Sequence, residues 1–206
     1  MQDRVADRTI GDYLDSLGGS QAMPGGGSAA GIVGALAAAT AEMMASLTRE
    51  PSERLLKSKA RLLELRERAL QCAKDDEVSY GGYLEALSLP KSTADEKAAR
   101  KAVLAQKLEA SARVPLALAV VAVEIVDALE NVILDGNKTV IGDAGSALVL
   151  AGAVVSICEI NVKANLTYIK DDALADDLQE SIEAASEMIV HISSERRAQI
   201  AERLIQ

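Results

Sequence analysis

Residue 76 is where periodicity and chemistry meet in this sequence. At about 100° per residue, Leu55, Leu62, Leu65, Ala69, Ala73, Tyr80, Tyr83 and Leu87 form one apolar stripe. Asp76 falls inside it, between Ala73 and Tyr80, while Asp75 points away. A carboxylate on a buried face is paired or hydrogen-bonded, or else its pKa rises. A raised pKa makes it a general acid or base. The other reading is a satisfied core aspartate bonded to a helix end or a lysine. Asp75 and Glu77 read as solvated charges.

Two amides repeat the pattern. Asn161 and Asn165 stand one turn apart on the face that carries Ala147, Leu150, Val154, Cys158 and Tyr168. Each amide offers two donors and an acceptor, costly to leave unpaired in an apolar setting. Together they could read a flat heterocycle with donors and acceptors, or bond each other across a helix interface. Further upstream, Gly25, Gly26, Gly27 and Ser28 open a helix. Glycines there let backbone N–H groups face an anion or a carbonyl, assisted by the helix dipole, or simply make a tight turn. Beyond them Ser28, Gly31, Ala35, Ala39, Glu42 and Ser46 share a face small enough for two helix axes to approach closely.

Other chemistries lack their parts. The lone histidine, His191, falls off the stripe of Leu174, Leu178, Ile182, Ala185 and Ile189, so it faces solvent or a partner. There is no Ser–His–Asp set, HExxH, P-loop or GxGxxG. With a net charge of −9, the chain has no global attraction for nucleic acid or an anionic membrane, and local cations must meet any anionic ligand. Cys72 and Cys158 lie far apart in no metal or redox motif, and read as buried free thiols of a reducing cytoplasm.

The elements that must position these groups are helices. Four Tyr with no Phe and no Trp argue for close-packed helices over a β-sandwich. The pattern predicts helices over 8–18, 27–49, 52–88, 93–112, 114–135, 143–170 and 172–205 in one domain, 1–206: an all-α, up-and-down bundle with long helices. Thr93 and Glu96 form a capping box. Asp143 and Asp172 are expected N-caps, and Pro115 is expected to start a helix. The apolar runs 28–41, 114–123 and 144–158 are shorter than the ~20 residues that span a bilayer, so no membrane partner is expected.

"PGGGSAAGIVGALAAATAEMMASLT" (24–48) resembles the opening motif of the cyclodeaminase/cyclohydrolase family, which includes the cyclodeaminase half of formiminotransferase-cyclodeaminase. The likeness continues through "DDEVSYGGYLEALSLPKSTADEK" (75–97), "VPLALA" (114–119), "DGNKTVIGDAGSAL" (135–148) and "NVKANLTYIKD" (161–171). The resemblance implies a helical homodimer acting on a tetrahydrofolate-derived small molecule, with no metal and no cofactor beyond that substrate. It also allows a formiminotransferase partner on a separate chain. The family's catalytic aspartate, four residues before an aromatic and upstream of Leu-Pro-Lys, maps to Asp76, and the aromatic to Tyr80. Its Gly-Asn and Asn-Leu elements map to Asn137 and Asn165. Tyr80 stands where the family usually has Phe, and Gly142-Asp143 where Ser-Asp is common.

The implied reaction joins N10 of tetrahydrofolate to the formimino carbon on N5, releasing ammonia and closing 5,10-methenyltetrahydrofolate. The nucleophile is tethered, so proton traffic is what remains to be catalysed. Asp76 is expected to carry it. Asn161, Asn165, Asn137 and Tyr80 are expected to hold the substrate together with the backbone of Gly25, Gly26, Gly27 and Ser28. Lys91, Arg113, Lys138 and Lys163 are candidates for the anionic glutamate tail. The alternative activity is methenyltetrahydrofolate cyclohydrolase, which adds water to the same carbon. A non-catalytic helical interaction protein, with the polar residues fixing register, is the reading from another class.

Overall fold

A computed structural model of the protein describes residues 4–205. Six α-helices follow one another: α1 (Ile10–Leu17), α2 (Gly26–Ser46), α3 (Glu53–Leu87), α4 (Ala94–Asp135), α5 (Ile141–Leu166) and α6 (Asp172–Ile205). Short 3-10 turns at Val5–Asp7 and Lys138–Val140 complete the order, and no strand occurs among the described residues. Helix α2 packs on α3 and α5, α4 packs on α3 and α5 from the opposite corner, and α6 lies against α4 and α5.

Alanine lets α2 pack closely on its neighbours. Ala30, Ala37, Ala38 and Ala41 are fully buried, as is Met44. Its approach to α3 is set by Gly31, where a Cβ would sit 2.7 Å from the Cβ of Ala73 and 2.8 Å from the Ala69 carbonyl oxygen. The small-residue face of α2 is thus a packing face. Leu55, Leu62, Leu65 and Ala69 of α3 meet it and α4 in the core.

The expected break at Pro115 does not occur, because 93–112 and 114–135 form a single helix of 42 residues. A proline inside a helix removes the hydrogen bond to the carbonyl four residues back. That carbonyl belongs to Ser111, and it accepts instead from Asn165 Nδ2 at 3.2 Å. The capping box is present, with Thr93 Oγ1 accepting from the Glu96 N–H and Glu96 accepting from the Thr93 N–H. The two expected aspartate caps are displaced. Lys138–Val140 leads directly into α5, which leaves Asp143 inside its first turn. Asp171, not Asp172, accepts from the Leu174 N–H at the start of α6.

Helices α3 and α4 overshoot the bundle. The start of α2 meets α3 at Asp76 and the end of α5 meets α4 at Ser111, so 77–87 and 94–110 continue beyond as a helical hairpin. Arg100 closes that hairpin by donating to the Leu87 carbonyl. By length and composition alone, α2 and the stretch Lys138–Leu166 are apolar enough to cross a membrane, contrary to the reading from the shorter runs. Most of that window of α2 is buried against protein, whereas less than half of the second is.

Candidate functional site

Where the overshoot begins, a cavity of about 370 Å³ opens at the end of the four-helix core. The start of α2 supplies Gly25, Gly26 and Gly27 to its wall; α3 supplies Asp76 and Tyr80; α4 supplies Ser111 and Pro115; α5 supplies Asn161 and Asn165. Seven of the nine residues singled out in the sequence therefore line one space.

Asp76 sits half-buried with its Oδ2 accepting from the Ser28 N–H at 2.9 Å. Ser28 is the third residue of α2, one of the early N–H groups a helix leaves without an internal partner, and Gly25 as N-cap has no side chain to serve it. The carboxylate of α3 caps α2 from outside. Burial raises the Asp76 carboxyl above its ordinary range; the Ser28 N–H partly offsets this, and the adjacent Glu77 charge adds to it. Gly27 makes the approach possible, since a Cβ there would fall 2.5 Å from Asp76 Cγ and 2.8 Å from Oδ2. A Cβ on Gly26 would meet nothing.

Opposite the acid, two buried polar atoms have no protein partner: Ser111 Oγ and Asn161 Nδ2. Such atoms are costly unless something fills their valence, and both belong to residues of the cavity wall. Asn165 differs from its neighbour, its amide N–H being committed to the Ser111 carbonyl that Pro115 frees. Tyr80 stands at the cavity rim, 41% exposed.

Three expectations need correction. Ser28 is fully buried behind the wall, its N–H donating to Asp76 and its Oγ to Glu77, so it positions the acid and does not face the cavity. Asn137 lies at the other end of α5, roughly 30 Å from Asn161 along the helix. There it donates through Nδ2 to the Leu47 carbonyl and accepts from the Thr139 N–H, tying two loops together. Glu77 is no solvated charge: Arg8 grips both its oxygens, at 3.1 and 2.9 Å. Nothing in the local pattern marks Arg8, which reaches Glu77 across 69 positions.

A second cavity, of about 570 Å³, lies along α4 between its first turns and the α5–α6 loop. Lys91, Lys97, Arg100, Lys101 and Lys170 line it. Arg113 and Lys163 are instead paired with Glu109 and Glu159, and Lys138 belongs to the turn at the far end. Lys97 and Lys101 were missed, yet spacing could have found them. Positions 97, 101, 104, 108, 111 and 115 recur every three or four residues, on one face of α4 that runs from the basic cavity to Ser111 and Pro115. Among the described residues no group of three His, Cys, Asp or Glu could hold a metal ion.

Residues 9–184 match the family model described as formiminotransferase-cyclodeaminase. The chain is 34% identical to a methenyltetrahydrofolate cyclohydrolase of Methylorubrum extorquens over 186 residues, covering 87% of this chain and 89% of that protein. It is 30% identical to a formimidoyltransferase-cyclodeaminase of Sus scrofa, covering 82% of this chain but 32% of that longer protein. A formiminotetrahydrofolate cyclodeaminase from Thermotoga maritima has the same fold, with a TM-score of 0.85 and 25% identity across 97% of this chain and 99% of that one.

Proposed function

The chain belongs to the formiminotransferase-cyclodeaminase family, an enzyme family of folate one-carbon metabolism, and we propose that it converts 5-formiminotetrahydrofolate to 5,10-methenyltetrahydrofolate and ammonia. The observation that carries this reading is the meeting, in one cavity, of an acid with a raised pKa and two unpartnered polar atoms.

In this mechanism N10 attacks the formimino carbon on N5, made electrophilic by protonation of its imino nitrogen. Asp76 takes the proton that N10 sheds and returns it to the amino group of the tetrahedral adduct. Ammonia leaves with the electron pair of the C–N bond, and the five-membered ring closes as the methenyl cation. The carboxyl is unchanged overall, so one acid suffices. Its pKa is raised toward the range in which one group can both take and return a proton. With Oδ2 held by Ser28, Oδ1 is the oxygen left for the substrate. Ser111 Oγ and Asn161 Nδ2 hold the pterin, the backbone of Gly25–Gly27 receives a substrate carbonyl or carboxylate, and Tyr80 covers the rim. The glutamate tail extends along α4 toward Lys91, Lys97, Arg100, Lys101 and Lys170, where cations collect on an otherwise acidic chain.

A second reading, cyclohydrolysis of the methenyl compound to 10-formyltetrahydrofolate, is favoured by the extent of the match to the M. extorquens protein. Two assays separate the readings. Ammonia release from 5-formiminotetrahydrofolate is expected for the first, and enzyme-dependent decay of 5,10-methenyltetrahydrofolate absorbance without ammonia for the second. A purified protein inactive in both would overturn the proposal.

A further inference from the structure

Behind Asp76 lies a closed polar network that the mechanism above does not use. The Glu77 side chain is only 15% exposed, and its Arg8 partner 22%. Ser28 Oγ, fully buried, lies 3.0 Å from the Tyr13 hydroxyl and 2.9 Å from Glu77 Oε1. A carboxylate only accepts, so the one proton of Ser28 goes to Glu77 and Tyr13 must donate to Ser28. Burial pushes the Tyr13 hydroxyl up from its ordinary range, which keeps it a donor. The chain of bonds therefore has one direction: Tyr13 to Ser28 to Glu77, with Arg8 closing it from the far side. Taking such a charge pair out of water is expensive, and it restrains the residue whose N–H holds the candidate acid.

We propose that Glu77 is a positioning residue for the reaction: through Ser28 it fixes the start of α2 against Asp76, and Arg8 in turn fixes Glu77. Glu77 also acts on Asp76 as a like charge, and Arg8, bound to both Glu77 oxygens, offsets that charge. Around that carboxylate, α3 contributes Glu77 and Tyr80, α1 contributes Tyr13, the segment before α1 contributes Arg8, and α5 contributes Cys158. From α2 and α4 the neighbours are Gly27, Ser28, Ser111 and Pro115, none of which titrates. Removing Glu77 therefore takes away a like charge, whereas removing Arg8 leaves that like charge without the guanidinium that grips both its oxygens.

The inference rests on the acid/base reading of Asp76, and its test does not depend on turnover. Carboxyl-carbon NMR titration of the full chain, with the Asp76 signal assigned by its loss in Asp76→Asn, reads the ionisation directly. In Glu77→Gln the Asp76 midpoint is expected to move to lower pH, and in Arg8→Gln to higher pH, with the matching limb of the activity profile following each. Glu77→Asp keeps the charge but withdraws the carboxylate from Ser28. It is expected to lower kcat, by up to about 10²-fold for a misplacement near 1 Å, and to move the midpoint upward, because the Ser28 N–H that holds it down is loosened. Arg8→Lys, which keeps the charge should Arg8→Gln fail to fold, is expected to hold the midpoint close to wild type. Midpoints unmoved in the charge-removing variants, or moved in the same direction, overturn the proposal. Wild-type protein without turnover but with the opposed shifts would sink the assigned reaction and leave the network's role standing.

Discussion

Gly27 and Asp76 occupy each other's space: a single methyl on Gly27 would lie against both oxygens of the Asp76 carboxylate, 2.8 Å from Oδ2. The glycine run at 25–27 thus has a cause other than turn-making, and no glycine among the described residues has positive φ. Gly27→Ala is expected to push the acid off the Ser28 N–H and lower kcat nearly as far as loss of the acid itself. Gly26→Ala, with open space at its Cβ, should leave kcat within a few-fold of wild type. The larger Gly26→Val should raise KM more than it lowers Tm. Equal effects of the two alanine substitutions would remove the steric argument.

Asp76→Asn is expected to keep the fold and cost about 10²–10⁴-fold in kcat, the usual worth of general acid–base help. The sign of its stability effect follows from linkage. Burial raises the folded-state pKa above the unfolded value, so the protonated form is favoured in the native state. The stabilisation from this group is full below the unfolded pKa, near 4, and is lost as pH rises through the folded value. The asparagine variant should therefore melt no lower than wild type at pH 7 and lose part of its relative advantage toward pH 4. Thermal melts at both pH values read this directly.

How far these features were legible differs element by element, for physical reasons. Helix α3, expected over 52–88 and found at Glu53–Leu87, has an unbroken apolar stripe and a serine cap, both local signals. The inward turn of Asp76 followed from the same stripe. Pro115 misled because the rule for helix breakage assumes that the freed carbonyl stays unpaired, and its partner Asn165 is 54 positions from Ser111. Glu77 misled because the wheel of α3 alone does not show what its neighbours bring to the next position. Here α2 runs alongside α3, and Ser28 in its first turn engages two consecutive carboxylates, one through its N–H and one through its hydroxyl.

Ser111 and Asn161 invite a different experiment. Each carries a buried polar atom with no protein partner, which costs the empty protein about 1–3 kcal/mol if nothing satisfies it. Ser111→Ala should therefore leave Tm unchanged or raise it, while weakening substrate binding by roughly the worth of one hydrogen bond, about 2- to 10-fold in KM. A fall in Tm with KM unchanged would mark Ser111 as a packing residue.

The basic cavity predicts a salt effect. Exposed cations facing an anionic tail act through screened Coulomb forces, which weaken as ionic strength rises. Double substitution of Lys97 and Lys101 by glutamine should raise KM for a polyglutamylated substrate and flatten its dependence on salt, with kcat little changed. If KM rises equally for a substrate analogue without the glutamate, the tail does not lie there.

Helix α5 turns an apolar face outward that the fold leaves uncovered. Val149 is 59% and Ile160 68% exposed, and a Cβ on Gly142, Gly145 or Gly152 would meet nothing within 4 Å. With the exposed Ser156 between Gly152 and Ile160, these positions recur at three- or four-residue steps, so they form one stripe, and it bears no charge from 142 to 160. Glycines along such a stripe let a second helix approach closely. We propose that a second copy of the chain covers it, in keeping with the expected homodimer. Sedimentation should then show a dimer for the wild type and a folded monomer for Val149→Glu or Gly145→Glu, each of which buries an unpaired carboxylate if association persists. A wild-type monomer, a dimer indifferent to both substitutions, or partition of the wild type onto lipid vesicles would each contradict this assignment.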